Sequence, residues 1–244
     1  MRCLRAPACG KGDFMQDKRY LEQLSVQFPT ANDAAMEIIN LSSILYLPKG
    51  TEHFITDIHG EYESFLHILK NGSGSIRKKI DEEFKNSLST KEKKSLATLI
   101  YYPEQKLSLV EATEEELDDW YKTTIYRLVR VNRRIASKYS RSRVRRALPK
   151  DYAYVIEELL NEKEEVQDKE AYYNGIISAI IATNRARSFV IAFCNVIQRL
   201  AVDRIHILGD IFDRGPGAHV IMDTLLTYDN VDFQWGNHDI CWIG

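Results

Sequence analysis

Three short stretches rich in β-branched, aromatic and aliphatic residues each run straight into a polar turn, and they constrain the chain most. They are Glu52 to Thr56, Arg204 to Leu208 and Val231 to Trp235, with Asp57-Ile-His-Gly60, Gly209-Asp210 and Gly236-Asn-His-Asp239 following in that order. Runs of this length and composition, bounded by glycine, read as strands. After the first, Phe65, Leu66 and Leu69 mark one face of a helix that Asn71-Gly72-Ser73-Gly74 ends; after the second, a helix is expected from about Ala218 to Leu226. Strand, loop and helix in repeated alternation predict an α/β fold with parallel strands.

From about Ser75 to Leu200 the pattern is different. Apolar residues recur at helical spacing, most clearly at Leu117, Tyr121, Leu128, Val131 and Ile135, and strand signals are nearly absent. A parallel crossover needs only about a dozen residues, so this stretch is expected to be a mainly α-helical insertion into the α/β core. The expected organisation is a flexible leader at 1–14, two helices and the first strand-loop-helix at 15–74, the insertion at 75–200, and the continuing core at 201–244. Met15 is a possible biological start.

Bulk properties exclude several function classes. With 33 Lys plus Arg against 35 Asp plus Glu, the net charge is −2 and exerts no general pull on nucleic acid or an anionic membrane. No run of about 18 apolar residues is present to span a bilayer. The four cysteines, Cys3, Cys9, Cys194 and Cys241, form neither a CxxC pair nor a disulfide framework, and a reducing cytoplasm is the expected location.

The chemistry concentrates at the three turns. Residues i and i+2 of an extended chain point to one side, so Asp57 and His59 can converge on one ion. Asp210 stands at the carboxyl end of an apolar strand, where open α/β sheets collect ligands. Asp213 adds a carboxylate, and Arg214 a guanidinium able to hold phosphate through two hydrogen bonds. Asn237 offers a neutral hard oxygen. Such donors suit Mn²⁺, Mg²⁺ or Fe²⁺ better than a thiolate-bound structural zinc. Taken singly, each has a plainer reading: Asp57 starting a turn, Asp213 capping a helix, Arg214 a surface charge. Three in order, each at a strand end, point to a metal-dependent phosphoesterase.

D-x-H-G, G-D-x-x-D-R-G and G-N-H-D together resemble the signature of the calcineurin-like metallophosphoesterases. The resemblance implies Asp57 and His59 on a first metal, Asp210 bridging two metals and Asn237 on the second. It also implies His238 as proton donor, supported by Asp213, with Arg214 on phosphate. The segments Leu47-Pro-Lys-Gly-Thr-Glu-His-Phe54, Tyr101-Tyr-Pro-Glu104, Arg146-Ala-Leu-Pro-Lys150 and Gln234-Trp-Gly-Asn-His-Asp239, with the long helical insertion, are similar to bacterial class III fructose-1,6-bisphosphatase from about Met15 to Gly244. That family implies a two-metal manganese site and a sugar bisphosphate substrate. It implies hydrolysis of the 1-phosphate of fructose 1,6-bisphosphate to fructose 6-phosphate and phosphate, a step of gluconeogenesis. The alternatives are another metallophosphatase, acting on phosphoproteins or dinucleoside polyphosphates, or a non-catalytic remnant.

The superfamily uses two later histidine-bearing motifs that do not occur here, so the chain is expected to be the N-terminal part of a longer enzyme with a truncated core, open sheet edges and little activity alone. His53, read as preceding the first strand, His67, His206 and His219 are expected to be structural. Trp120 and Tyr121 read as packing residues, and Arg141, Arg143, Arg145 and Arg146 as a solvated helix face.

Overall fold

A computed structural model describes residues 14–110, 113–161 and 167–243. The expected leader falls outside the described residues up to position 13, and Phe14 already begins a helix. The described residues up to Leu47 form one compact unit and those from Pro48 onward a second. The first contains α1 (Phe14–Gln27) and α2 (Ala31–Ile44), the two helices expected to lead the chain. Thr30 caps α2 in a reciprocal capping box with Asp33.

The second unit opens with β1 (Glu52–Ile55) and α3 (Tyr62–Asn71), which stops at Gly72 because that residue takes a left-handed conformation at φ 57°. A helical block follows: α4 (Ser75–Phe84), α5 (Thr90–Tyr101), α6 (Pro103–Ser108), α7 (Glu114–Ala136), α8 (Arg141–Ala147), a 3₁₀ turn at Lys150–Tyr152, α9 (Ala153–Asn161), α10 (Gln167–Ala182) and α11 (Ala186–Ala201). Then come β2 (Arg204–Ile207), α12 (Ala218–Leu225), β3 (Val231–Phe233) and α13 (Asn237–Ile243). The fold is α/β, mostly helical, around one small parallel sheet in the order β1-β2-β3. Ile55 aligns with Ile207, and Ile207 with Phe233, so all three strands deliver their carboxyl ends to one edge. His53 corrects one expectation: it lies inside β1, buried, with Nε2 bonded to the Ser73 hydroxyl.

Two apolar cores hold this unit. The sheet core packs Ile55, Ile205 and Ile207 against Phe65 and Leu69 of α3 and Ile221 and Leu225 of α12. The helical core centres on α7 and α11, where Leu128, Val131, Ile135, Phe189 and Phe193 are fully enclosed. Each such side chain contributes roughly 1.5–3 kcal/mol by leaving water. Tyr121 joins this core, with Trp120 packed beside it, in agreement with their reading as packing residues. Among the described residues no single helix is long and apolar enough to cross a membrane.

The helical block is tied to the amino ends of β1 and β2 by polar contacts just beyond α7. The Lys138 ammonium donates to Thr51 Oγ1 at 2.7 Å, the Tyr139 hydroxyl donates to the Leu200 carbonyl at 2.9 Å, and Arg143 pairs with Asp203. Burial pushes Lys138 down from the usual lysine range to about 8, with Asp203 opposing and Lys79 and Arg143 reinforcing. The unfolded chain keeps that proton to ~10.4. Between pH about 8 and 10 the unfolded state therefore binds more protons at this site, and the stability contribution of Lys138 rises with pH. Below that window the cost of burying the charged amine is fully present. Denaturant unfolding of the native chain and of Lys138→Met should give a stability difference that shifts in favour of the native lysine from pH 8 to 10; a pH-independent difference would contradict it.

Candidate metal centre

The side chains that follow the three strands meet at the carboxyl edge of the sheet. Main-chain bonds first join the turns after β1 and β2: His59 N–H donates to the Asp210 carbonyl and Gly60 N–H to that of Ile211, both at 2.8 Å. Gly215 and Gly217 return the contact through N–H bonds to the carbonyls of His59 and Gly60 at 2.7 and 3.0 Å. The backbone is held in unusual conformations to achieve this. Asp57, His59, Asp210, Asp213 and Arg214 have φ values of 54°, 49°, 55°, 81° and 70°, a region uncommon for residues other than glycine that clusters where side chains are aimed at ligands.

Ligand atoms of Asp57, His59 and Asp210 lie within 4.8 Å of one another. The three differ in exposure: His59 is buried, Asp210 half-buried and Asp57 exposed. Asp57 Oδ1 stands 3.7 Å from His59 Nε2, and the buried His59 Nδ1 has no hydrogen-bond partner among the described residues. Two carboxylates and one imidazole are a donor set that fits a divalent cation, and no thiol among the described residues joins them. The arrangement can hold a metal ion.

Beside this group His238 presents its ring edge-on to His59, with centroids 5.3 Å apart. Its Nδ1 is 3.2 Å from Asp213 Oδ2, and its backbone N–H donates to Asp210 Oδ1 at 3.2 Å. Arg214 is exposed, its Nε 3.8 Å from Asp213 Oδ2. Asn237 is exposed at the first residue of α13, between His238 and Gly236. A side chain at Gly236 would run into Asp210, and one at Gly209 into the Gly236 backbone, so the turns after β2 and β3 come together only because both residues are glycine. All seven residues named from the sequence thus occur at one sheet edge, with Asp57, His59 and Asp210 as the clustered donors and Asn237 and Arg214 turned to solvent.

The chain matches the family model described as Firmicute fructose-1,6-bisphosphatase over residues 19–244. It belongs to that family. Among curated relatives it is 63% identical over 226 residues to the class 3 fructose-1,6-bisphosphatase 1 of Clostridium beijerinckii, covering 93% of this chain and 34% of the relative. It is 60% identical over 228 residues to the class 3 enzyme of Bacteroides thetaiotaomicron, with 93% and 34% covered. It is 61% identical over 232 residues to that of Alkaliphilus metalliredigens, with 95% and 35% covered. The chain spans about a third of the length of the curated relatives it matches. No solved structure matches it.

One residue of this family member was missed as a functional position in the sequence. Asp239, the last letter of G-N-H-D, is completely buried, and its carboxylate accepts backbone N–H bonds from Asp210 (2.7 Å), Ile211 (2.8 Å), Phe212 (3.0 Å) and Gly236 (2.9 Å). Burial raises its pKa, but the four donors together hold the carboxyl below the usual carboxylate range. The available signal was an acid at the third position of a helix, from which a side chain can reach back to the N-cap amide; Gly236 supplies that amide. Asp239→Asn replaces one acceptor by a donor facing N–H groups and is expected to cost about 2–4 kcal/mol. Native-state hydrogen exchange should quicken at the amides of Asp210, Ile211, Phe212 and Gly236, and unaltered protection there would contradict this assignment.

Proposed function

We propose that this chain carries the first part of a calcineurin-like metallophosphoesterase core and that its site hydrolyses the 1-phosphate of fructose 1,6-bisphosphate, giving fructose 6-phosphate and phosphate. The observation that carries the reading is the convergence of Asp57, His59 and Asp210 at the carboxyl edge of a parallel sheet, in a family whose relatives bear the name fructose-1,6-bisphosphatase. On this reading residues 15–74 and 201–244 belong to the core, and 75–200 are a helical insertion between its first two strands. Work on a sugar bisphosphate in gluconeogenesis fits a cytoplasmic location, with neither nucleic acid nor membrane as partner.

Asp57, His59 and Asp210 would hold a divalent metal ion, and Asp210 with Asn237 would serve a second; manganese would suit these oxygen and imidazole donors, as would magnesium or iron(II). Bound there, divalent metal supplies Lewis-acid polarisation of a phosphoryl oxygen and activates water. The rest of the work falls to the chain. Arg214, exposed beside the cluster, binds a substrate phosphate with its planar fork. Asp213 fixes the His238 ring through Nδ1, which leaves Nε2 to give its proton to the sugar oxygen as the bond to phosphorus breaks. The left-handed backbone at Asp57, His59 and Asp210 aims these groups before substrate arrives.

Protein expressed from the complete reading frame that encodes this chain should release phosphate from fructose 1,6-bisphosphate when manganese is added and lose that activity on chelation. Faster release from a phosphopeptide or a dinucleoside polyphosphate would contradict the substrate assignment. His238→Ala should lower kcat by about 10²–10⁴-fold while manganese still binds. Loss of manganese in equal measure would overturn the proton-donor role.

A further inference from the structure

The arginines of α8 are largely exposed, with Arg141, Arg145 and Arg146 open to solvent and Arg143 half-buried, but they turn to different partners. Arg145 turns toward α9, where Nε lies 3.1 Å from both carboxylate oxygens of Glu157. Arg143 and Arg146, one helical turn apart, instead line a cavity of about 770 Å³ at the amino ends of β2 and β3, the end of the sheet opposite the metal centre. Arg199 of α11 lines the same cavity. Three arginines thus line it together with two acidic residues, Asp203 and Asp229. Asp203 is engaged by Arg143. Asp229 lies 3.3 Å from Arg199, but it is 85% exposed, and a pair so placed is worth little. Arg146 has no ion-pair or hydrogen-bond partner among the described residues.

Neutral donors complete the lining. The Tyr228 hydroxyl makes no hydrogen bond among the described residues, and burial raises its pKa, so it stays a proton donor at neutral pH. Asn195 of α11 also lines the cavity, and its side-chain amide makes no hydrogen bond among the described residues. The volume falls in the range of small-molecule sites, roughly 300–1,000 Å³, and the excess of planar cations suits a phosphate dianion, which guanidinium groups bind through paired hydrogen bonds. We propose that this cavity is a second anion site that takes a small phosphomonoester between Arg146 and Arg199, with Tyr228 and Asn195 as donors. The site shares no residue with the metal centre and stands apart from the function proposed above.

The test uses inorganic phosphate with the chelator-treated chain, followed by ¹H–¹⁵N spectra that resolve arginine Nε and side-chain amide groups. Phosphate should shift the Arg146, Arg199 and Asn195 signals saturably, whereas chloride at equal ionic strength should not. Arg146→Ala should weaken the response about tenfold, Arg146→Lys should fall between because it keeps the charge and loses the fork, and Arg214→Ala should leave it unchanged. A response that chloride reproduces, or that Arg146→Ala leaves intact, would overturn the proposal, as would the absence of a saturable shift at these groups.

Discussion

Four backbone N–H groups from two separate turns end on the carboxylate of Asp239, and the metal centre depends on that junction. Three of the donors, Asp210, Ile211 and Phe212, are consecutive residues after β2, and the fourth, Gly236, follows β3. Buried amides without acceptors cost about 1–3 kcal/mol each, so the carboxylate does more than add a bond. It allows the chain after β2 to turn its amides inward and its Asp210 side chain outward, at a φ of 55° that an aspartate rarely adopts. The turn after β1 is then hydrogen-bonded to this fixed segment through His59 and Gly60.

That dependence gives the sheet its functional weight despite its size. β2 is the central strand, and each of its neighbours contributes one turn to the site. Isoleucines on the strands, packed by α3 and α12, set the height of the edge from which the turns leave. The helical block has its own core and reaches the sheet at the other end, through Lys138, Tyr139 and Arg143. One end of the sheet therefore carries the clustered metal donors Asp57, His59 and Asp210, while Arg143, Arg146 and Arg199 gather around Asp203 and Asp229 at the other.

Much of this was legible in the sequence because the signals were local. The strands at 52–55, 204–207 and 231–233 and the helix at 218–225 fall within the stretches read from β-branched runs and helical spacing, and Gly72 ends α3 as its left-handed preference predicts. The residues that gather at the site were readable as well, since each directly follows a strand and parallel strands bring such residues to one edge. What escaped was non-local. The four donors to Asp239 are peptide groups, which every residue carries, and only the folded chain brings them together. The same holds for α8, where a run of arginines looks uniform until Glu157 and Asp203 draw Arg145 and Arg143 in different directions. His53, read as preceding the first strand, already falls within the stretch Glu52 to Thr56 read as that strand, and it lies inside β1.

The central claim is that Asp57, His59 and Asp210 form a metal site held at the carboxyl edge of the sheet. Anomalous scattering at the manganese edge, recorded from crystals of the manganese-loaded protein, tests it most directly. The account predicts a peak bounded by the side chains of these three residues, lost in crystals of Asp210→Asn. A peak coordinated by other residues, or none at this edge of the sheet, would contradict it.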